Sequence, residues 1–304
     1  MIKIATILTC YNRKEKSVRC LTELLRVTDA YNAKHGENNI ELSVYLTDDA
    51  SSDGTAEAVA EVCEGKDFHL CQGDGNCFWA GGMRLAWREA IKRHEEWDFY
   101  LLLNDDTTVF DNVFEQLMTC HEYALEKYSK PGVYSGCTCD ENNTDIVTYS
   151  GDVMNLKTKG WDRLLPNGKP QMVDMTNANI LLVEKSVVDA IGIFHDGYIH
   201  GAADQDYGMT ARRTDIPVLI TPDVSGYCEY DHVTEQYVCK NLMKMNFKER
   251  KAYVYKPNHS DKDYLLFIKR NMPERYYISI VLRKIRLYFP KLYYKICIYR
   301  GIYK

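Results

Sequence analysis

The chain has 304 residues, 45% of them hydrophobic and 27% charged, enough apolar material for one large or two small soluble domains with a packed core. The net charge of −5 is unevenly spread: from Lys269 to the end ten Lys/Arg face a single acid, Glu274, giving +9 there and leaving −14 for the remainder. An acidic body excludes nucleic acid as the natural partner, and a basic tail calls for some other anionic surface.

Met1-Ile2-Lys3-Ile4 runs straight into a strand pattern, so no signal peptide is expected, and no run of 18 apolar residues marks a membrane span. Eleven scattered cysteines without a CxxC pair read as reduced thiols in a cytosolic protein.

Ile2 to Thr9 is β-branched and apolar, a strand, and it ends in the polar turn Cys10-Tyr11-Asn12-Arg13. Helical spacing of Val18, Leu21, Leu24, Leu25 and Thr28 predicts a helix from about Lys16 to Tyr31. A second strand, Ile40 to Leu46, ends in Thr47-Asp48-Asp49-Ala50-Ser51-Ser52-Asp53-Gly54-Thr55, followed by a helix over Ala56 to Cys63. Phe68 to Cys71 is a third strand, and the glycine-rich stretch Gly73 to Gly82 reads as a loop leading to a helix with Met83, Ala86, Trp87, Ala90 and Ile91 on one face. The run Phe99 to Leu103 is wholly apolar and stops abruptly at Asn104-Asp105-Asp106, the pattern of a strand buried on both faces of a parallel sheet.

Strand, polar turn and helix thus alternate, with the polar turns on one edge: an α/β, doubly wound, mostly parallel sheet flanked by helices, with a crevice beyond the strand ends. Asn104 and Asp106, spaced i and i+2 at that edge, can hold a hard divalent cation that in turn binds a diphosphate. They can equally cap a helix starting near Asp111. The absence of GxGxxG after the first strand excludes the dinucleotide-binding variety.

Four motifs in this order, IleLeuThrCysTyrAsnArg, ThrAspAspAlaSerSerAspGlyThr, AsnCysPheTrpAlaGlyGlyMetArg and LeuLeuAsnAspAspThr, resemble the signatures of family-2 inverting glycosyltransferases of the GT-A fold, the third that of a rhamnosyltransferase-like branch. The resemblance covers roughly residues 2 to 235. It implies that Asp48 hydrogen-bonds the base of a UDP- or dTDP-linked sugar, with Asp49 a less strict neighbour, and that Tyr11 and Arg13 line the nucleotide pocket. Asn76, Trp79, Gly81, Gly82 and Arg84 would form the glycine loop, with Arg84 a diphosphate contact or a solvated helix residue. Asn104, Asp105 and Asp106 would form the DxD-like motif, with Asp106 the ligand of Mg²⁺ or Mn²⁺. Asn104 replaces the first acid of that motif, which removes one anionic ligand.

Farther on, Val109 to Tyr128 reads as a helix, Gly132 to Ser135 and Ile146 to Tyr149 as short strands, and 150 to 170 as a hairpin or loop. Asn177 and Asn179 precede a buried strand, Ile180 to Val183, and either contact donor-sugar hydroxyls or close the turn. A helix follows near Lys185 to Ile191. His200-Gly201-Ala202-Ala203-Asp204-Gln205-Asp206 resembles the acidic helix start that supplies the catalytic base. Asp204 is the expected base, and Asp206 the residue that orients its neighbours. The more usual acid before Asp204 is Ala203 here. Val218 to Ile220 is a short strand, and His232 resembles the family's late histidine, a metal or diphosphate ligand. The expected organisation is a catalytic domain over 1–240, with a nucleotide-binding half at 1–110 and an acceptor half at 111–240, and a C-terminal helical extension over 241–304.

That extension mixes Ile, Leu, Tyr and Phe with Lys and Arg, which suits an anionic bilayer at the inner face of the cell membrane, packing against the body, or a homodimer interface. The implied activity is metal-assisted, inverting transfer of a sugar to a hydroxyl of a glycan or lipid-linked glycan, in polysaccharide or cell-surface glycan synthesis. A sugar nucleotidyltransferase and a non-catalytic nucleotide- or glycan-binding protein of the same fold stay open beside it.

Overall fold

In the computed structural model, the polar turns predicted from sequence fall at the ends of neighbouring strands. The structure describes all residues except 156, 158, 159, 231–233, 258–260 and 304, and the side chain of residue 37. The chain divides into two compact units, Met1–Asp196 with Ala203–Tyr230, and Gly197–Ala202 with Asp231–Lys304.

The first unit runs β1 (Ile2–Cys10), α1 (Lys14–His35), β2 (Ile40–Asp48), α2 (Thr55–Val62), β3 (Asp67–Gln72), α3 (Phe78–Ile91), β4 (Phe99–Leu103), β5 (Thr108–Val109) and α4 (Val113–Tyr128). It continues through β6 (Val133–Cys139), β7 (Val147–Tyr149), β8 (Gly151–Asn155), β9 (Gly160–Leu164), β10 (Gln171–Met172), β11 (Ile180–Glu184), α5 (Lys185–Ile191), α6 (Ala203–Arg213) and β12 (Val218–Tyr227). The main sheet has the order β10-β12-β6-β11-β4-β1-β2-β3, with β5 and β7 added on β12 and β6, and β8–β9 forming a separate hairpin.

β3, β2, β1 and β4 are mutually parallel, in the register Cys10↔Asp48 and Ile7↔Leu102. Their carboxyl ends therefore present Arg13, Asp48 and Asn104 along one edge. β11 enters antiparallel beside β4, pairing Ile180 with Leu103, so the residues just before it arrive at the same edge. All five residues of β4 are buried, as the unbroken apolar run requires once a strand is covered on both faces and flanked on both sides. The α/β architecture expected from the alternation of strand, turn and helix is observed.

Several boundaries differ from the sequence reading. The stretch expected to be loop up to Gly82 is helical from Phe78 onward. The helix expected from Val109 starts at Val113, because Thr108–Val109 pairs with β12. The 150–170 segment, read as a hairpin or loop, contains the β8–β9 hairpin among its described residues.

In the second unit α7 (Glu235–Leu242), α8 (Phe247–Val254), α9 (Asp261–Asn271), α10 (Tyr276–Tyr288) and α11 (Pro290–Tyr299) follow one another. Asn246 and Glu249 close a reciprocal capping box at the start of α8. The basic stretch after Tyr276 is two helices rather than one: Pro290 has no amide hydrogen to donate into α10, and instead starts α11. Asp263, buried on α9, accepts the backbone N–H groups of Ile199 (3.1 Å), His200 (2.8 Å) and Gly201 (3.0 Å). Among the described residues no helix is long and apolar enough to cross a membrane.

Candidate active site

The turn after β4 is the centre of the site. Asp105 is buried and accepts from the Ser17 hydroxyl (2.9 Å) and from Arg13 Nη1 (3.2 Å); the same nitrogen donates to Asp106 Oδ2 at 2.7 Å. Burial pushes the Asp105 carboxyl up to about 6 despite the opposing pull of Arg13, so this acid depends on its partners to be charged near neutrality. Asn104 Oδ1 accepts the indole N–H of Trp79 at 2.8 Å. Thus one of the two oxygens expected to face a cation is already shared with a side chain of α3. Asp106 Oδ1 meets only the Cys228 thiol, 3.9 Å away, among the described residues. The donor set suits a hard cation that keeps several waters and draws its other oxygens from a diphosphate, and it does not form a protein cage.

Asp48 and Asp49 are both buried and differ in what they hold. Asp48 Oδ2 accepts the Ser51 N–H (3.1 Å), and its Oδ1 receives the Cys10 thiol (3.6 Å). Burial and then the neighbouring Asp105 and Asp48 push the Cys10 thiol well up, and burial does the same to Cys20, so neither is a thiolate nucleophile. Asp49 accepts three backbone N–H groups, from Gly75 (2.9 Å), Cys77 (3.2 Å) and Phe78 (3.0 Å). Its carboxylate is the staple of the glycine loop. Asp49, Asp74 and Cys77 also form the one cluster of three ligand-type side chains among the described residues, but these N–H bonds already occupy both Asp49 oxygens.

Two glycines are fixed by packing. A Cβ on Gly82 would stand 2.0 Å from Thr9 Oγ1, and one on Gly73 2.5 Å from Asp49 Oδ1. Gly81 has room for a methyl group, its nearest neighbours lying 3.6 Å and more away. Asn12, Ala50 and Phe78 hold positive φ of 51°, 62° and 51° at three loops of this edge. For Ala and Phe that conformation costs on the order of 1 kcal/mol or more, strain of the kind that gathers at ligand-binding loops.

A second acidic segment arrives at the start of α6. Asp204 Oδ2 accepts the Ala178 N–H at 3.0 Å and Oδ1 the Gln205 N–H at 2.9 Å, while the Thr176 hydroxyl donates to the Asp204 carbonyl at 3.0 Å. The Asp204 carboxylate is thereby fastened to the turn before β11. That turn is in turn fastened to the β4 edge, where the Asn104 N–H donates to the Asn179 carbonyl at 3.2 Å. Asp206 is buried one residue beyond Gln205, where its charge favours the positive start of α6.

Several of the expected residues turn their side chains to protein groups. Asn179 is buried, with Nδ2 on the Cys228 sulfur at 2.8 Å; Asn177 Nδ2 donates to the Ser150 carbonyl, and its Oδ1 is buried without a donor among the described residues. Both asparagine amides thus contact protein groups that flank the turn. Arg84 is buried and turned to the His195 carbonyl (3.2 Å) and Asp196 (3.5 Å), so it is not the solvated helix residue. Asn76 is exposed in the glycine loop, and Tyr11 is exposed just past β1. His232 lies outside the described residues. Sequence reasoning missed Ser17 and Cys228: Ser17 carries no motif of its own, and Cys228 is marked only by following a short apolar strand.

A mostly parallel sheet whose strand ends bear Arg13 and an Asn-Asp-Asp turn, with Asp204 at the start of α6 bonded to the turn before antiparallel β11, is the architecture of the GT-A fold of glycosyltransferases. Three solved structures share it. The mannosyltransferase PcManGT from Pyrobaculum calidifontis, in complex with GDP-Man and Mn²⁺, matches with a TM-score of 0.57 at 14% identity over 98% of this chain and 73% of that one. S. aureus TarS 1-349 in complex with UDP-GlcNAc matches with a TM-score of 0.53 at 14% identity over 90% of this chain and 73% of that one. In a longer TarS structure, TM-score 0.52 at 14% identity over 88% of this chain, the match spans 43% of the neighbour. Among curated proteins none matches by sequence. Residues 6–170 match the family described as Glycosyl transferase family 2, and the chain belongs to that family.

Proposed function

We propose that this glycosyltransferase moves a sugar from a nucleoside diphosphate to an acceptor hydroxyl, with inversion at the anomeric carbon and Asp204 as general base. The observation that carries the reading is the run of contacts from Asp204 through Ala178 and Asn179 to Asn104, which ties the second acidic segment to the Asn-Asp-Asp turn. The ligands of the neighbours, GDP-Man with Mn²⁺ and UDP-GlcNAc, support a sugar nucleotide as donor.

The residues divide the work as follows. Asp48 takes a hydrogen bond from the nucleobase, and Asp49 keeps the glycine loop in shape. Arg13, with a side chain 43% exposed and five donors on its guanidinium, holds Asp105 and Asp106 and has donors left for a phosphate oxygen. Trp79 fixes the Asn104 amide. Asp106 would hold Mg²⁺ or Mn²⁺, which when bound would supply positive charge beside the leaving diphosphate. Asp204 accepts the proton of the acceptor hydroxyl as that oxygen attacks opposite the diphosphate. The glycine loop Asn76 to Arg84 favours dTDP-rhamnose among donors, and a glycan or lipid-linked glycan of the cell surface is the acceptor class proposed.

Inversion is tested without knowing the acceptor, by following slow hydrolysis of the donor sugar by proton NMR. The anomer opposite to the donor's own linkage should appear first and then mutarotate. First appearance of the anomer that the donor carries would contradict a single displacement.

A further inference from the structure

We propose that the exposed faces of α10 and α11 form a binding surface for an anionic lipid bilayer. On α10, Tyr277, Val281, Lys284 and Tyr288 recur at helical spacing and are all exposed, with Ile278 beside them. On α11, Lys291, Leu292, Lys295, Ile298 and Tyr299 do the same. Nine of the nineteen exposed large hydrophobic residues of the described chain fall between Tyr277 and Ile302, with Tyr277 79% and Tyr299 93% exposed. So dense an apolar display marks an interaction site rather than ordinary surface.

The opposite faces are spoken for. Glu235 binds Arg283 (3.0 Å) and Arg286 (2.8 Å), Asp261 binds Arg286 (2.6 Å), and Tyr293 and Cys297 pack on Cys239 and Tyr303. The tail's cations are thereby sorted. Arg283 and Arg286 neutralise acids inside the unit. Lys284, Lys291, Lys295 and Arg300 are exposed and have no acidic partner among the described residues.

Charge and side-chain chemistry choose the occupant. Between Tyr276 and Tyr303 there is no Asp or Glu, so a second copy docking through this face would set lysines against lysines. Nucleic acid would answer the lysines but would leave Ile278, Val281, Leu292 and Ile298 without a use. An anionic bilayer answers both: phosphate head groups meet the ammonium groups, tyrosine rings lie at the interface, and the aliphatic side chains enter the acyl boundary. The inference is independent of the catalytic reading.

The test is flotation of the full chain with vesicles of phosphatidylcholine alone and with 30% phosphatidylglycerol, at about 0.1 M salt, near one Debye length of 10 Å. The expected result is binding to the anionic vesicles at least about tenfold above the neutral ones, weakened by added salt. The triple variant Lys284→Glu, Lys291→Glu, Lys295→Glu should lose at least about 100-fold, since each surface lysine is worth about fivefold. Tyr277→Ser with Leu292→Ser should also release the protein while its circular dichroism and melting stay those of the parent. Equal or absent binding to the two vesicle types, or binding untouched by the triple variant, would overturn the proposal. So would a dimer, or a complex with single-stranded DNA, that the triple variant dissolves while vesicle binding is absent.

Discussion

Asp204→Asn is expected to lower turnover by about 10²–10⁴-fold, the range a positioned general base contributes, while the affinity for the donor nucleotide stays within a few fold. The asparagine fits the same space but has one acceptor oxygen for the two N–H groups of Ala178 and Gln205, so one of these donors loses its partner. That loss costs about 1–3 kcal/mol of stability and shows as a lower melting temperature. The two effects separate cleanly. If donor binding is preserved and transfer falls, Asp204 acts in the chemical step. If binding and transfer fall together, its carboxylate serves only to hold the turn before β11. Unchanged transfer would place the base elsewhere.

The second large effect is expected at Asp106. Asp106→Ala should reduce turnover by about 10²–10³-fold, the scale of removing one group that stabilises developing charge. Binding of Mn²⁺ in the presence of nucleoside diphosphate, read by electron paramagnetic resonance, should weaken in parallel. Asp106 is singled out because only its Oδ2 is held by Arg13 while its Oδ1 meets no more than the Cys228 thiol among the described residues, whereas Asn104 Oδ1 is taken by Trp79 and both Asp105 oxygens by Ser17 and Arg13. An Asp106→Ala protein with unaltered Mn²⁺ affinity would remove this residue as the metal ligand.

The sheet was legible because its strands carry simple signals. Phe99 to Leu103 has no charged or amide residue and reads as a strand covered on both faces, and each parallel strand stops at a polar turn. The helix starts at Phe78 and Val113 were harder to read, because local preference was overridden. Asp49 pulls Cys77 and Phe78 into the start of α3, and β12 captures Thr108 and Val109 as an extra strand. In the site, sequence could name the acids but not their partners. That Arg13 would grip Asp105 and Asp106, or that Asn179 would turn inward to Cys228, depends on contacts between residues 49 to 93 positions apart. The basic tail illustrates the same limit: composition gave its charge, while the structure separates the arginines paired inside it from the lysines left outside.

The central claim, that this edge of the sheet holds a sugar nucleotide with a divalent cation, is tested most directly by calorimetric titration with UDP, GDP and dTDP, each with and without Mn²⁺. The expected result is binding of one of the three, at least about tenfold tighter with Mn²⁺ present. Binding of none of them, with or without the metal, would contradict the account.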